Sequence, residues 1–148
     1  MRKMLAVVTL TVGASALVFA HVELRPQVST PGADQQYTVR AHNEGKVAVT
    51  SVTLDVPSDV TVTDVAKPPV GSYDVKKEGN RIVLITWTRD IKPATFADFR
   101  FTAKNPMKGT EIQWHAREQM ADGTTIDWGG TASGAKKGPV TKLNVAGA

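Results

Sequence analysis

The chain has 148 residues, and its 18 Lys and Arg outnumber its 14 Asp and Glu, which gives a formal charge of +4 at pH 7. It contains no cysteine, so disulfides, thiolate metal sites and thiol catalysis are excluded. The basic residues are scattered, and the short pairs Lys76-Lys77 and Lys136-Lys137 are typical of a solvated surface. Nucleic acid is therefore not an expected partner.

Residues 1–20 have the layout of a secretory signal peptide. Arg2 and Lys3 precede an apolar run over residues 5–19, and Val18 and Ala20 fit the small-x-small pattern of a cleavage site. The run is shorter than the ~20 residues that a membrane-spanning helix needs. We therefore expect cleavage after Ala20 and an exported protein, periplasmic or extracellular. An uncleaved anchor that keeps the protein at the membrane is the alternative.

The mature chain would have 148 − 20 = 128 residues, enough for one domain with its own core. Short runs alternate between apolar and polar residues, as when Tyr37, Val39 and Ala41 share one strand face. Turn residues separate these runs, and no long helical period occurs, so the sequence predicts an all-β sandwich. The predicted strands lie in YTVRAHNE, VAVTSVTLDVP, VTVTDV, RIVLITWT, ADFRFTA and EIQWHARE. We expect the domain over residues 21–130, and a last strand or a flexible tail over residues 131–148.

His21 would become the first residue after the cut, and this position gives it two nitrogens that can close a chelate on one metal ion. They are the free α-amine and the ring nitrogen nearest the backbone. Nitrogen donors in a tetragonal set suit Cu(II), whereas Cu(I) prefers sulfur ligands, of which the mature chain offers only Met107 and Met120. A carboxylate would complete such a site. The carboxylates considered are Glu23, Asp34, Glu44, Glu118, Asp122 and Asp127.

Four segments occur in the order AHVELRP, YTVRAHNEG, ITWTRDIKPATFADFRF and ADGTTIDWGG. Together they resemble the YcnI-like family of exported bacterial copper-binding domains, from His21 to about residue 130. The resemblance implies an immunoglobulin- or cupredoxin-like β-sandwich and a Cu(II) site with a single-histidine brace. In that family the N-terminal His supplies amine and imidazole, the Glu of an Asn-Glu motif supplies oxygen, and a Trp after Asp lies beside the metal. The matching residues here are His21, Glu44 and Trp128.

Two further residues are expected near this site. His42 departs from the small residue or Pro that the family more often has there, and it shares a strand face with Glu44. A solvent-facing or hydrogen-bonded strand histidine is the favoured interpretation, and a neighbouring donor or replacement ligand is the alternative. Asp127 is expected to orient Trp128 or His21. His115 points away from the predicted core face and is assigned no role.

The function expected from these features is that of a non-enzymatic copper chaperone or copper-acquisition accessory. Its partners would be the copper ion and a copper-transfer protein or membrane transporter. One alternative is an oxidative copper enzyme with an N-terminal His, which would need a second histidine from His42 or His115. The other is a metal-free extracytoplasmic module that binds a protein partner, since β-sandwiches host many functions. No hydrolase motif is present.

Overall fold

The computed structural model describes residues 21–131 and 133–145, so the expected signal peptide lies outside the described residues. Twelve strands occur within this part of the chain. In chain order they are β1 (His21–Arg25), β2 (Val28–Ser29), β3 (Asp34–Asn43), β4 (Val49–Asp55), β5 (Thr61–Val65), β6 (Ser72–Glu78), β7 (Arg81–Ile91), β8 (Thr95–Lys104), β9 (Glu111–Gln113), β10 (His115–Met120), β11 (Thr125–Trp128) and β12 (Val140–Leu143).

The strands form three sheets, with the orders β1-β3-β8-β5, β11-β10-β4-β7-β6 and β2-β12-β9. All pairings between these strands are antiparallel except that of β2 with β12. The predicted all-β sandwich is confirmed. In the part of the chain that is described, no helix is long and apolar enough to cross a membrane.

The core lies between the two larger sheets and follows the period-two pattern of the strands. Tyr37, Val39 and Ala41 on β3 are fully buried. Trp87 of β7 stacks on Phe99 of β8 with 5.2 Å between the ring centroids, which joins one large sheet to the other. Fully burying a large apolar side chain contributes roughly 1.5–3 kcal/mol, so this contact between the sheets stabilises the fold.

The run EIQWHARE, predicted as one strand, is two strands that belong to different sheets. Residues 111–113 form β9, which pairs with β12, whereas residues 115–120 form β10, which pairs with β4 and β11. Trp114 marks the change of sheet: its backbone N–H donates to the Pro139 carbonyl (2.9 Å), and its Nε1 donates to Thr141 Oγ1 (3.0 Å). The alternation of burial continues through Trp114, so the pattern alone cannot reveal the change of partner.

The C-terminal segment contributes a strand to the fold. β12 lies between β2 and β9, and its Thr141 and Leu143 are buried. The sequence predicts a last strand or a flexible tail for residues 131–148, and in the structure residues 140–143 form a strand.

A buried polar network ties the loop after β2 to the end of β8. Asn105 is 2% exposed, and its Oδ1 accepts a hydrogen bond from the Tyr37 hydroxyl. Its Nδ2 donates to Ser29 Oγ and to the Thr30 carbonyl, both at 2.8 Å. Because Asn105, Ser29 and Tyr37 are buried, loss of the hydrogen bonds between them costs more than loss of an exposed hydrogen bond.

We predict that Asn105→Asp lowers the free energy of unfolding by roughly 2–4 kcal/mol, because a carboxylate oxygen would replace the donor that faces the Thr30 carbonyl. Urea unfolding followed by circular dichroism measures this. Asn80→Asp in the exposed turn after β6 is the control and should stay within about 0.5 kcal/mol of the unmodified protein. Equal losses in the two variants would contradict the assigned role of the network.

Candidate metal centre

His21 is the first residue of β1, the strand at one edge of its sheet. Its side chain is 47% exposed. The apolar Val22 and Leu24 of β1 point into the core, so alternation directs His21 outward. Its ring centroid lies 5.5 Å from that of Trp128, edge to face, and 6.2 Å from that of His42. The structure thus brings together three of the residues expected at the site.

His42 owes its place to strand register. β1 and β3 pair antiparallel with His21 opposite His42, so the two imidazoles stand side by side on one face. The His42 ring also lies near Phe96 of β8, at 5.6 Å between ring centroids. His42 is half-buried. His42 thus lies beside His21 and two residues before Glu44, and its role as a neighbouring donor or replacement ligand stays a prediction.

Glu44 is exposed just beyond the end of β3. Asn43, which is fully buried, shapes the turn that presents it. The Asn43 Nδ2 donates to the carbonyls of Val47 and Ile91, both at 2.8 Å, and its Oδ1 accepts from the Gly45 N–H at 3.0 Å. The Asn-Glu motif therefore has a physical basis, because Asn closes the turn and leaves the following Glu in solvent.

Glu44 and His21 line two different cavities. That of Glu44 also includes His42 and Phe96, whereas that of His21 also includes Trp128 and the chain around Pro139. The carboxylate that touches His21 is instead Glu23, whose Oε1 lies 3.2 Å from His21 Nε2. The role of Glu44 as a ligand stays a prediction.

Glu23 is itself held by Arg25, two residues further along the same face of β1. Arg25 Nη2 donates to Glu23 Oε2 at 3.0 Å, and Arg25 Nε donates to the same oxygen at 3.3 Å. Partial burial raises the pKa of Glu23, but the hydrogen bond and charge of Arg25, together with His21, outweigh burial and leave that pKa below its ordinary value. At neutral pH Glu23 is thus a carboxylate whose Oε1 lies near His21 and whose Oε2 accepts hydrogen bonds from Arg25.

Trp128 ends β11 and is nearly buried, at 8% exposure. Its Nε1 donates to Glu118 Oε1 at 2.8 Å, which fixes the indole while its ring meets His21. The next residue, Gly129, has φ +88°, and a Cβ there would lie 2.4 Å from the Trp114 carbonyl oxygen. Glycine is therefore required where the chain turns away after Trp128.

Glu118, one of the six carboxylates that the sequence offers for the site, has a definite environment in the structure. It is fully buried on β10, and no hydrogen-bond partner of its Oε2 is present among the described residues. Burial raises its pKa from 4.5 to about 7, although the hydrogen bond from Trp128 acts in the opposite direction. A buried acid therefore stands directly behind the tryptophan that contacts His21.

Asp127 does not make the contacts expected of it. Its Oδ1 lies 2.9 Å from His115 Nε2 and accepts the Gly130 N–H at 2.9 Å; no hydrogen bond to His21 or to the Trp128 side chain is present in the described structure. His115, to which the sequence assigned no role, also places its Nδ1 2.6 Å from Asp55 Oδ2. It therefore links β10 to both β4 and β11. Strand register explains why Asp127 contacts His115 and not His21. On the paired strands β10 and β11, Asp127 lies diagonally across from His115.

Side chains alone do not make a metal site here. Over residues 21–131 and 133–145, no group of three or more His, Cys, Asp or Glu is arranged to hold a metal ion. Within the same residues, the hydrogen bond of the His21 ring is made by Nε2, and Nδ1 has none. A free α-amine at His21 would add the missing nitrogen beside Nδ1, and this pair fits the donor preference of Cu(II).

Comparison with known proteins identifies a relative. The chain is 32% identical over 114 residues to the copper-binding protein CutI of Bacillus subtilis, a match that includes 75% of this chain and 56% of CutI. The chain thus spans little more than half the length of that relative. No family model matches the sequence. The match confirms the resemblance seen in the motifs, and the chain belongs to the YcnI-like family.

Solved structures agree on the fold. An uncharacterized protein from Nocardia farcinica with an immunoglobulin-like fold superposes with a TM-score of 0.67 at 20% identity, over 86% of this chain and 98% of that one. A non-cellulosomal cohesin from Archaeoglobus fulgidus superposes with a TM-score of 0.53 at 15% identity, over 87% and 94% of the two chains. These likenesses show an immunoglobulin-like β-sandwich and carry no information on function.

We predict that Glu118→Gln becomes more stable relative to the unmodified protein as pH rises from about 5 to about 8. Folded Glu118 keeps its proton up to about pH 7, whereas the unfolded chain releases it near 4.5. The unfolded state therefore binds fewer protons in this window, and the free energy of unfolding falls with rising pH. Glutamine cannot ionise, so the variant should avoid roughly 1–3 kcal/mol of this loss.

Urea unfolding at several pH values tests this expectation. Glu78→Gln, at the exposed end of β6, is the matched control and should show no such gain over the pH range. A constant difference between Glu118→Gln and the unmodified protein at all pH values would mean that Glu118 does not titrate in this window.

Proposed function

We propose that the protein is an exported Cu(II)-binding protein, in which the α-amine and imidazole of His21 hold the ion after cleavage behind Ala20. The observation that carries the proposal is the placement of His21. It begins an edge strand, its imidazole is half-exposed against Trp128, and its Nδ1 is without a hydrogen bond in the described structure. The name of the relative CutI, a copper-binding protein, supports the choice of metal.

Strand register supports Glu44 as the carboxylate ligand. Because His21 faces His42 on antiparallel strands, the chain that leaves β3 after His42 runs past the N-terminal end of β1. The freed α-amine of His21 would lie at this same end. Glu44 follows there as an exposed side chain in a turn, so it can swing toward the amine without disturbing the core. Trp128 would shield one side of the ion.

The exposed position at a sheet edge suits a protein that passes its metal on. A chaperone or copper-acquisition accessory must hold one Cu(II) and release it to a transfer protein or a membrane transporter. A site at the start of the chain, open on one side, allows a partner's ligands to approach. We propose this role, without an enzymatic step, for the exported form in the periplasm or outside the cell.

A Gly placed before His21 tests the proposal directly. In the chain that begins at His21 we expect one tight Cu(II) and quenching of Trp fluorescence, since the Trp128 ring lies against His21. The Gly extension turns the α-amine into an amide, and we expect the affinity to fall by at least 100-fold. Fluorescence titration and electron paramagnetic resonance measure both forms. Equal affinity of the two forms would show that the α-amine is not a ligand, and no binding by either form would favour a metal-free protein-binding module.

One observation favours the oxidative copper enzyme as a second candidate. His42 stands opposite His21 with 6.2 Å between the ring centroids, so it is placed to offer the third nitrogen that such an enzyme would use. His115 is not available for this role because Asp55 and Asp127 engage both of its ring nitrogens.

His42→Ala separates the two candidates. We expect Cu(II) affinity to change by less than about threefold, because the proposed brace needs only the nitrogens of His21 and the Glu44 carboxylate. The electron paramagnetic resonance spectrum of the bound Cu(II) should also keep its nitrogen hyperfine pattern. A large loss of affinity and of one nitrogen coupling would show that His42 is a ligand, and polysaccharide oxidation by the loaded protein should then be tested.

A further inference from the structure

We propose that Glu23 is a positioning residue that keeps the proton of the His21 imidazole on Nε2 and so leaves Nδ1 free as a donor. This inference rests on the proposed function, since it concerns how the chain prepares His21 for a metal ion. Its direct support is the 3.2 Å approach of Glu23 Oε1 to His21 Nε2.

The two ring nitrogens of a neutral imidazole have opposite roles, since one carries the proton and the other a lone pair. A carboxylate is only an acceptor when ionised, so the nitrogen facing Glu23 must be the one that carries the proton. The lone pair then lies on Nδ1, the ring nitrogen nearest the backbone. That nitrogen is the one that can close a chelate with the α-amine of the same residue.

Glu23 does not suit the role of a ligand to the same ion. Nδ1 and Nε2 lie on different sides of the five-membered ring, and their lone pairs point away from each other. A carboxylate bound at Nε2 therefore stands on the far side of the ring from an ion at Nδ1. Its other oxygen, Oε2, is occupied by Arg25. Oε1 thus contacts the His21 ring, and Oε2 binds the Arg25 guanidinium.

The pairing of β1 with β3 holds the backbone of these residues in place. His21, Glu23 and Arg25 alternate along β1 with the buried Val22 and Leu24, so their side chains share the outer face. The five residues of β1 are all paired with β3. Arg25 therefore fixes Glu23, and Glu23 fixes the ring of His21 against Trp128. A carboxylate on the distal N–H of a metal-binding histidine sets its tautomer and raises its basicity, and its loss commonly costs 10–100-fold in affinity.

Glu23→Leu and Glu23→Gln test this inference together. The first removes the acceptor, whereas the second keeps an oxygen acceptor and loses the charge. ¹⁵N NMR of the metal-free chain beginning at His21, at a pH where the imidazole is neutral, reports the tautomer. We expect the Nε2–H form in the unmodified protein and in Glu23→Gln, and a mixture of tautomers in Glu23→Leu. Cu(II) affinity should fall 10–100-fold in Glu23→Leu and less in Glu23→Gln.

Glu78→Leu is the control, since it removes an exposed carboxylate from the end of β6 and should change neither tautomer nor affinity. Circular dichroism confirms that each variant is folded. An unchanged tautomer in Glu23→Leu, or an Nδ1–H form in the unmodified protein, would overturn the inference. If the tautomer shifts as expected but no form binds Cu(II), Glu23 still orients His21 and it is the proposed function that fails.

Discussion

The antiparallel pairing of β1 with β3 is the constraint on which the candidate site depends. It sets His21 opposite His42 and sends the chain that follows β3 past the start of β1. A shift of one residue in this register would turn His21 into the core and bring Val22 to the surface. The burial of Val22 and Leu24 against the core opposes that shift, so apolar packing on one face of β1 determines the chemistry presented on the other.

The second layer of the site lies on the opposite sheet. Trp128 on β11 reaches the ring of His21 while its indole N–H is bound by Glu118 on β10. A fully buried carboxylate is costly, and its raised pKa means that at mildly acidic pH it is held as the neutral acid. This cost falls directly beside Trp128, an aromatic residue that contacts the ring of His21. The two sheets therefore meet at His21, and the site depends on the sandwich rather than on a single loop.

His21 and His115 have different environments, although each has an acidic residue close to it in the sequence. His21 keeps one ring nitrogen without a hydrogen bond in the described structure, because Glu23 is the only carboxylate that touches it there. His115 has a carboxylate at each nitrogen, from Asp55 and Asp127, and so it joins three strands of one sheet. The number of carboxylates around the ring therefore decides whether a ring nitrogen stays without a hydrogen bond or the ring links strands. The sequence places an acid near both histidines but does not show how many carboxylates each ring contacts.

Much of the fold was determined by the sequence alone. A strand backbone directs successive side chains to opposite faces, so the alternation in β3, β4 and β8 predicts both strand and core face without knowledge of any neighbour. The absence of cysteine excludes disulfides without any structural knowledge. The resemblance of the motifs likewise indicates the family from the sequence alone. The contact of His21 with Trp128, the burial of Glu118, the change of sheet at Trp114 and the role of His115 were decided only by tertiary structure. The reason is that a period of two determines which way a side chain points, whereas its neighbours across strands and sheets depend on pairing between distant segments, which the packing of the whole core selects.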